Sequence, residues 1–325
     1  MTGAQILIQA LIDQGVETVF GYPGGSILNI YDALYDREDE IKHIITSHEQ
    51  GAAHAADGYA RSTGKTGVVF ATSGPGATNL VTGIATAYQD SVPMIAVTCN
   101  VTRDLLGRDS FQEIDIIDIT NAIVKHNYLV QDINEIASIV KEAFEIANSG
   151  RKGPVHIDIP KDITAELTEY FSPGKYQLRE TPKPSLENTL NVVKVIENSK
   201  RPLIYCGGGV TFSDNAQKLE KLAEKIQAPV CLSMMGLSSL SPESPYYLGL
   251  VGMHGTTAAN RAVLDCDLLI AVGARFSDRV TGNREKFAEN AKIIHIDIDQ
   301  SEISKNVRAD YSLIGDSGDC LEMLL

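Results

Sequence analysis

Several common signatures are missing from this sequence, and each absence excludes a class of protein. No apolar run approaches the roughly 20 residues that a membrane-spanning helix requires. The N-terminal stretch MTGAQILIQALIDQG lacks the basic start and cleavage site of a signal peptide, so we expect a cytoplasmic location. Basic residues are outnumbered, with 28 Lys and Arg against 42 Asp and Glu. The net charge of −14 argues against nucleic acid or an anionic membrane as a partner.

Cysteine is also scarce, and its spacing predicts neither disulfides nor zinc. The five cysteines are widely scattered and form no CxxC pair. An odd number in a chain without an export signal favours reduced, mostly buried thiols. The seven histidines show no HExxH spacing, so no metal site is predicted in this chain.

What the sequence does contain is an alternation of short β-branched runs and helix-length segments. The predicted strands of the first half lie at 16–21, 41–46, 67–72, 93–98, 126–130 and 153–160, with 41–46 expected to be buried. Helical patterns at 74–90 and 133–150 separate some of these runs. Strands that are apolar on both faces are typical of parallel sheets covered by helices. The pattern predicts an α/β fold with a doubly wound parallel sheet.

A second domain of the same class follows a break in the pattern. The polar, proline-containing stretch from 164 to about 186 has no period and is interpreted as a linker. Strand patterns then recur at 201–209, 228–233, 267–276, 292–299 and 311–316, with helices near 214–227 and 256–265. We therefore expect domains at 1–165 and 187–325, joined by a linker at 166–186.

Polar and glycine-rich stretches of the first domain follow its predicted strands, where open parallel sheets bind ligands. They are GYPGGS (21–26), TSHEQ (46–50), ATSGPGATN (71–79) and TCNVT (98–102). Glu49 alone could be a favourable charge at a helix start, and a Gly-Pro turn can be purely structural. SGPGATN lacks the Lys-Ser/Thr of a P-loop and the GxGxxG spacing. Its small residues suit a flat, uncharged ring better than a pyrophosphate.

The second domain has its own set of strand-end stretches. CGGGV (206–210) is a loop that a ligand could approach closely, VGARFSDR (272–279) adds two arginines, and Asp297 lies near a strand end. Together they indicate a dinucleotide site. The alternative is an ordinary surface of a nucleotide-free Rossmann-like domain.

Taken together, these stretches resemble the acetolactate synthase (acetohydroxyacid synthase) large subunits, thiamine-diphosphate-dependent enzymes that act on 2-oxoacids. The resemblance runs over the whole chain, through VFGYPGGSILNIYDALY, HEQGAAHAADGYARSTGKTGV, ATSGPGATNLVTGIATAYQDSVP, GRDSFQE and SGRKGPVHIDIPKD. The stretch GMHGTTAANRAVLDCDLLIAVGARFSDRVTGN is specific to the acetolactate synthase branch.

The resemblance implies the reaction and the roles of individual residues. Pyruvate would be decarboxylated and joined to a second 2-oxoacid, pyruvate or 2-oxobutyrate, in the biosynthesis of branched-chain amino acids such as valine and isoleucine. Glu49 matches the catalytic glutamate that hydrogen-bonds the pyrimidine ring of thiamine diphosphate. Gln112, Lys161 and Arg279 match further catalytic positions, and Phe111 and Arg279 match substrate-binding positions. The implied pyrimidine pocket is Tyr22, Pro23, Gly24, Thr72, Pro75 and Asn79.

The second domain would then carry FAD. The matching positions are Arg151, Gly208, Gly209, Met253, His254, Gly273, Ala274, Arg275, Asp297 and Asp316. Simpler interpretations stay open for some residues: Lys161 could be a solvated strand end and His254 an ordinary loop histidine. His48, next to Glu49, is expected to be structural.

Length is the main departure from the family. Full members continue into a further domain whose GDG…N motif binds Mg²⁺ and the diphosphate, and no GDG triplet occurs here. We therefore expect Mg²⁺ only with that domain, and no activity from this chain alone. A dimer or tetramer and a small regulatory subunit are implied partners. The alternatives are a related thiamine-dependent decarboxylase or carboligase, or a non-catalytic fragment that binds FAD or dimerises.

Overall fold

The computed structural model describes residues 1–325, which form two compact units, 1–179 and 180–325. The division falls inside the predicted linker. Each unit is built on a six-stranded, all-parallel sheet with helices between the strands. The predicted fold class, two α/β domains with doubly wound parallel sheets, is confirmed.

The sheet of the first unit has the order β2-β1-β3-β4-β6-β5. Its strands are β1 (Thr18–Gly21), β2 (Lys42–Ile45), β3 (Gly67–Ala71), β4 (Met94–Asn100), β5 (His126–Leu129) and β6 (Pro154–Pro160). The order reverses between β1 and β3, which makes this the switch point of the sheet, where ligands bind in doubly wound folds. Every residue of β3, β4 and β6 is buried, as expected for parallel strands covered on both faces.

The helices of the first unit are α1 (Gly3–Asp13), α2 (Leu28–Tyr35), α3 (Glu49–Thr63), α4 (Pro75–Asn79), α5 (Val81–Asp90), α6 (Ile116–Thr120), α7 (Ile136–Asn148) and α8 (Lys161–Ala165). Helix α1 begins with a capping box between Thr2 and Gln5, which satisfies backbone donors at the helix start. Helix α3 ends at Gly64, whose φ of 71° is the left-handed conformation that glycine adopts without strain.

Two local predictions differ from the structure. The helical pattern at 74–90 is divided into α4 and α5, which meet at Leu80. The prediction that 41–46 is a buried strand is wrong, because β2 is an edge strand whose Ile45 is 64% exposed. An edge strand has a neighbour on one side only, so an apolar run of this length does not guarantee burial.

The second unit has the strand order β12-β11-β10-β7-β8-β9. Its elements are α9 (Leu186–Glu197), β7 (Pro202–Cys206), α10 (Gly208–Phe212), α11 (Ala216–Ile226), β8 (Val230–Leu232), β9 (Tyr247–Leu250), α12 (Thr257–Asp265), β10 (Leu268–Val272), α13 (Asp278–Thr281), β11 (Lys292–Asp297), β12 (Tyr311–Ile314) and α14 (Ser317–Leu324). This is the strand order of a dinucleotide-binding fold, with its switch point between β7 and β10.

All five cysteines are free and buried, as predicted. None of the helices combines the length and the apolar character needed to cross a membrane.

Candidate active site and cofactor loops

The loops that follow β1 and β3 meet at the switch point of the first sheet. A Cβ atom on Gly24 would lie 2.4 Å from Thr72 Cγ2, so the close approach of the two loops requires glycine there. The backbone N–H of Ser26 donates to Thr72 Oγ1 at 3.1 Å, and the hydroxyls of Ser26 and Ser73 are 2.8 Å apart. These contacts join the two loops into one wall at this edge of the sheet.

Glu49 lies at the first position of α3, beside that wall. The side chain of His48 caps the helix by accepting a hydrogen bond from the backbone N–H of Gln50 at 3.1 Å, which agrees with a structural role for His48. Glu49 is only 9% exposed, and Asn79 Nδ2 donates to its Oε2 at 2.9 Å. Its other oxygen, Oε1, accepts no hydrogen bond. The helix dipole favours a carboxylate at this position, but it does not explain the burial or the pairing with Asn79.

Gly76 keeps the space beside this carboxylate open. A Cβ on Gly76 would lie 2.7 Å from Thr72 Cγ2 and 3.2 Å from Glu49 Oε1. The charge of Glu49 also reaches Tyr31, whose pKa is raised above its ordinary value by burial and then by that charge. A buried carboxylate with one uncommitted oxygen in a glycine-lined space can accept a hydrogen bond from a ring nitrogen.

The predicted residues Gln112 and Lys161 reach the same edge of the sheet. The backbone of Gln112 packs against the turn before α4, where a Cβ on Gly74 would lie 2.5 Å from Gln112 O. Lys161 Nζ donates to Gly25 O at 3.1 Å, which ties the start of α8 to the loop after β1. Phe111 is 87% exposed. Of the remaining predicted pocket residues, Tyr22 and Pro23 belong to the loop after β1, and Pro75 begins α4.

Glu113 organises the segment that presents Phe111 and Gln112, and sequence reasoning missed this role. Its carboxylate accepts hydrogen bonds from the backbone N–H groups of Ser110 (2.8 Å), Gly107 and Arg108. The bonds from Ser110 and Gly107 are the main causes that hold the pKa of Glu113 below its ordinary value. The glutamate of the FQE triplet was the available signal.

In the second unit, the glycine loops after β7 and β10 lie against each other at the switch point. Gly207 N donates to Val272 O at 2.9 Å, and Gly209 N donates to Gly273 O at 3.1 Å. A Cβ on Gly209 would lie 2.8 Å from Gly273 Cα, so a side chain at this position would prevent the direct backbone contact between the two segments. Gly208 begins α10 directly after the first of these loops, and Ala274 and Arg275 belong to the second.

The acidic residues assigned to the dinucleotide site lie at the ends of β11 and β12. Asp297, at the end of β11, is buried, and its Oδ1 accepts a hydrogen bond from Asp299 N at 2.9 Å. Asp316 follows β12 and caps α14 by accepting from Gly318 N at 2.7 Å. The cap occupies one oxygen of Asp316.

Met253, His254 and Arg279 form a separate exposed group in this unit. Met253 N donates to Arg279 O at 2.8 Å, and Arg279 Nη1 lies 3.8 Å from Met253 Sδ. The Arg279 side chain is 73% exposed, which leaves its guanidinium accessible to an anion. Arg151, by contrast, belongs to the first unit, where its Nε donates to Ser91 Oγ at 2.9 Å.

Comparisons with known proteins match a range in each unit to one family of enzymes. Residues 1–119 match the family model of the thiamine pyrophosphate enzyme N-terminal TPP binding domain, and residues 190–324 match that of the central domain of the same enzymes. The chain is 51% identical to a probable acetolactate synthase large subunit of Methanocaldococcus jannaschii and to the acetolactate synthase large subunit of Pyropia yezoensis. Both alignments cover 100% of this chain and 56% of the relative.

A third relative, the acetolactate synthase large subunit of Parasynechococcus marenigrum, is 51% identical over 98% of the chain and 53% of its own length. The chain therefore spans a little over half the length of the curated relatives it matches. One matched range lies in each structural unit, and each unit has its own glycine-lined strand-end loops. The chain belongs to the thiamine pyrophosphate enzyme family.

Proposed function

We propose that this chain provides the N-terminal and central domains of an acetolactate synthase, a transferase. The reaction is the decarboxylation of pyruvate and the condensation of the remaining two-carbon unit with a second 2-oxoacid. The observation that carries the proposal is the buried Glu49 carboxylate, with one oxygen held by Asn79 and the other facing the space that Gly76 leaves open. The names of the relatives support this choice within the thiamine enzymes.

The residues of the first unit fit the aminopyrimidine of thiamine diphosphate. When bound, the cofactor supplies the electron sink for the carbon–carbon bond chemistry. Glu49 Oε1 would hydrogen-bond a ring nitrogen and share a proton with it, and Asn79 would keep the carboxylate in place. Gly24, Thr72 and Gly76 would form the wall against the flat ring, where a side-chain carbon on either glycine would intrude.

We propose that residues at this edge of the first unit, and Arg279 of the second unit, bind the substrate. Lys161 and Gln112 reach the same edge and can donate hydrogen bonds to a 2-oxoacid or its product. Phe111 offers an apolar surface beside them. Arg279 would bind the carboxylate of the second substrate, since its charge is permanent and its fork of N–H groups matches a carboxylate.

For the second unit we propose FAD as the ligand. The backbone contact between the loops after β7 and β10 creates the close-approach surface that a pyrophosphate needs, and the strand order is that of dinucleotide-binding sheets. Gly208, Gly209 and Gly273–Arg275 would hold the dinucleotide, with Asp297 on a ribose hydroxyl. Arg151, Met253, His254 and Asp316 complete the proposed set.

Further partners follow from the same assignment. Mg²⁺ and the diphosphate would be held by a domain outside these 325 residues, in an oligomer of this chain. The name "large subunit" of the relatives suggests a smaller regulatory partner as well. A cytoplasmic location stays a prediction from the N-terminal sequence.

The test is Glu49→Gln in the gene product that contains this chain, assayed for acetolactate from pyruvate with thiamine diphosphate, Mg²⁺ and FAD. Removing the carboxylate should lower kcat by about 10² or more, the usual contribution of a positioned acid–base group. Glu17→Gln is the control, since Glu17 is exposed and pairs only with Lys65. Acetaldehyde as the main product would favour a decarboxylase. Bound flavin without turnover would favour a non-catalytic module. A Glu49→Gln enzyme as active as Glu17→Gln would contradict the proposal.

A further inference from the structure

A row of buried polar side chains crosses the central strands of the first unit. Thr98 and Asn100 lie on one face of β4, and His156 and Asp158 lie on the same face of β6, with Thr98 and Asp158 paired in register. These four residues and Thr120 are all buried. Polar groups are stable in such a core only when their hydrogen bonds are made, so each donor and acceptor can be accounted for.

The side chains form one continuous chain of hydrogen bonds. Thr98 Oγ1 lies 2.6 Å from Asp158 Oδ1 and 2.8 Å from His156 Nε2. On the other side of the imidazole, Thr120 Oγ1 lies 3.0 Å from His156 Nδ1 and 2.8 Å from the carbonyl oxygen of Ile116. The network thus has four links, and each hydroxyl can donate only one proton.

Only some protonation states of Asp158 and His156 satisfy all four links. One such state has a protonated Asp158 and a neutral His156 with its proton on Nδ1. Asp158 then donates to Thr98 Oγ1, and the Thr98 hydroxyl donates to His156 Nε2. His156 Nδ1 donates to Thr120 Oγ1, and the Thr120 hydroxyl donates to the carbonyl oxygen of Ile116. An Asp158 carboxylate with an imidazolium also satisfies four links. An Asp158 carboxylate with a neutral His156 satisfies only three, whichever tautomer is present. The complete network therefore needs one more proton than that last state holds.

Below about pH 6, burial favours the uncharged arrangement. Desolvation raises the pKa of Asp158 to about 6 and lowers the pKa of His156 to about 3. The hydrogen bonds from Thr98 and Asn100 oppose this rise in the pKa of Asp158, and the negative charge of Asp115 adds a smaller raising effect. The Cys99 thiol nearby stays neutral, because burial raises its pKa. An ionised Asp158 raises that pKa further, and Lys161 has a smaller opposite effect.

The network is connected to the exit of β4. Asn100 Nδ2 donates to Asp158 Oδ2 at 2.7 Å, and Asn100 Oδ1 accepts from the backbone N–H of Val101 at 2.9 Å. Residues 101–112 continue from this point to Gln112. We propose that Asp158 holds a buried proton, relayed through Thr98 to His156, and that it is a positioning residue for the segment that begins at Val101. The inference concerns the folded chain and does not depend on the proposed reaction.

The test uses infrared difference spectra of the 325-residue chain between pH 5 and pH 8. We expect the carbonyl stretch of a protonated, buried carboxylic acid at pH 5 that disappears at pH 8. The band should be absent in Asp158→Asn and present in Asp118→Asn, the control at an exposed aspartate whose carboxylate makes no hydrogen bond. In Asp158→Asn the new side-chain amide would donate its N–H to Thr98 and accept from Asn100, so this variant mimics the protonated state and should fold.

Two further readouts distinguish a proton-holding pair from simple packing. In ¹⁵N NMR, His156 should be neutral with its proton on Nδ1 at pH 5, both in the wild type and in Asp158→Asn. The exchange protection factor of the Val101 amide should fall at least several-fold from pH 5 to pH 8 in the wild type, and stay constant in Asp158→Asn. A wild type without the carbonyl band at pH 5, a band that survives in Asp158→Asn, or a positively charged His156 at pH 5 would overturn the proposal. The wild-type titrations decide the matter even if the variant does not fold.

Discussion

The buried pair in β6 leads to a quantitative prediction about stability and pH. In the folded chain the pKa of Asp158 is raised to about 6 from its usual value of 3.8. Between these values the folded chain holds a proton that the unfolded chain has released, so this group stabilises the fold below pH 4 and loses that effect as pH rises to 6. At about 1.36 kcal/mol per pKa unit, the contribution is about 3 kcal/mol.

His156 acts in the opposite direction. Its pKa falls to about 3 from 6.5, so below pH 6.5 the unfolded chain takes up a proton that the folded chain excludes. Stability from this group therefore rises with pH between about 3 and 6.5. Between pH 4 and pH 6 the two effects cancel, because the pair holds one proton in both states: on His156 when unfolded and on Asp158 when folded.

Asp158→Asn removes one half of this balance. The free energy of unfolding of the variant, relative to the wild type, should increase by about 3 kcal/mol between pH 4 and pH 7. Urea denaturation followed by circular dichroism at several pH values measures this, and the contribution of the second unit is common to both proteins. Asp118→Asn should run parallel to the wild type. Wild-type and Asp158→Asn curves that stay parallel from pH 4 to pH 7 would refute the reasoning.

Three other predictions concern Gly76, Glu113 and the cysteine thiols. Gly76→Ala should weaken thiamine diphosphate binding at least tenfold in calorimetry, because its Cβ would lie 3.2 Å from Glu49 Oε1. The control Gly58→Ala, on the open face of α3, should leave binding unchanged and raise the free energy of unfolding by up to about 1 kcal/mol. Equal binding by the two variants would contradict the proposed pocket. Glu113→Gln should speed amide hydrogen exchange at Gly107 and Ser110. In the wild type, exchange at these amides should also become faster as pH falls through the lowered pKa of Glu113. Unchanged exchange would show that other contacts hold this segment. The five buried thiols should react with a thiol reagent only after denaturation. Burial raises the pKa of each thiol, for example to about 11 for Cys266, so the reactive thiolate is scarce in the native chain. Rapid labelling of the native chain would contradict this prediction.

The sequence predicts the parts of this structure that depend on periodicity. Apolar runs such as 67–72 and 153–160 become β3 and β6, since a fully apolar run of this length is stable mainly as a covered parallel strand. Strand β9 has no such signal, because Gly249, with φ of 87°, interrupts a four-residue run and the register with β8 shifts nearby. The prediction that β2 is buried is wrong for another reason. Whether a strand lies at the edge of a sheet depends on strand order, which is a long-range property that a local sequence pattern does not contain.

The sequence predicts only part of the candidate site, for similar reasons. Glu49 and the loops after β1 and β3 follow strand ends, which the pattern locates, but the pairing of Glu49 with Asn79 depends on how α3 and α4 pack. The network around Asp158 has a local signal that went unused. Polar residues alternate with apolar ones in TCN and HID, within runs that are otherwise apolar. What the sequence does not show is that the two triplets lie side by side, which follows from the pairing of β4 with β6.

The exposed edge at β2 has a consequence for solubility at high concentration. A free strand edge offers unpaired backbone groups to another molecule, and long, flat edges promote aggregation. Here the edge strand has only four residues, begins with the charged Lys42 and includes the polar His43. Such a strand gives a second molecule little to pair with. Replacing Lys42 and His43 with β-branched apolar residues would make this edge strand prone to pairing with other molecules and would promote aggregation.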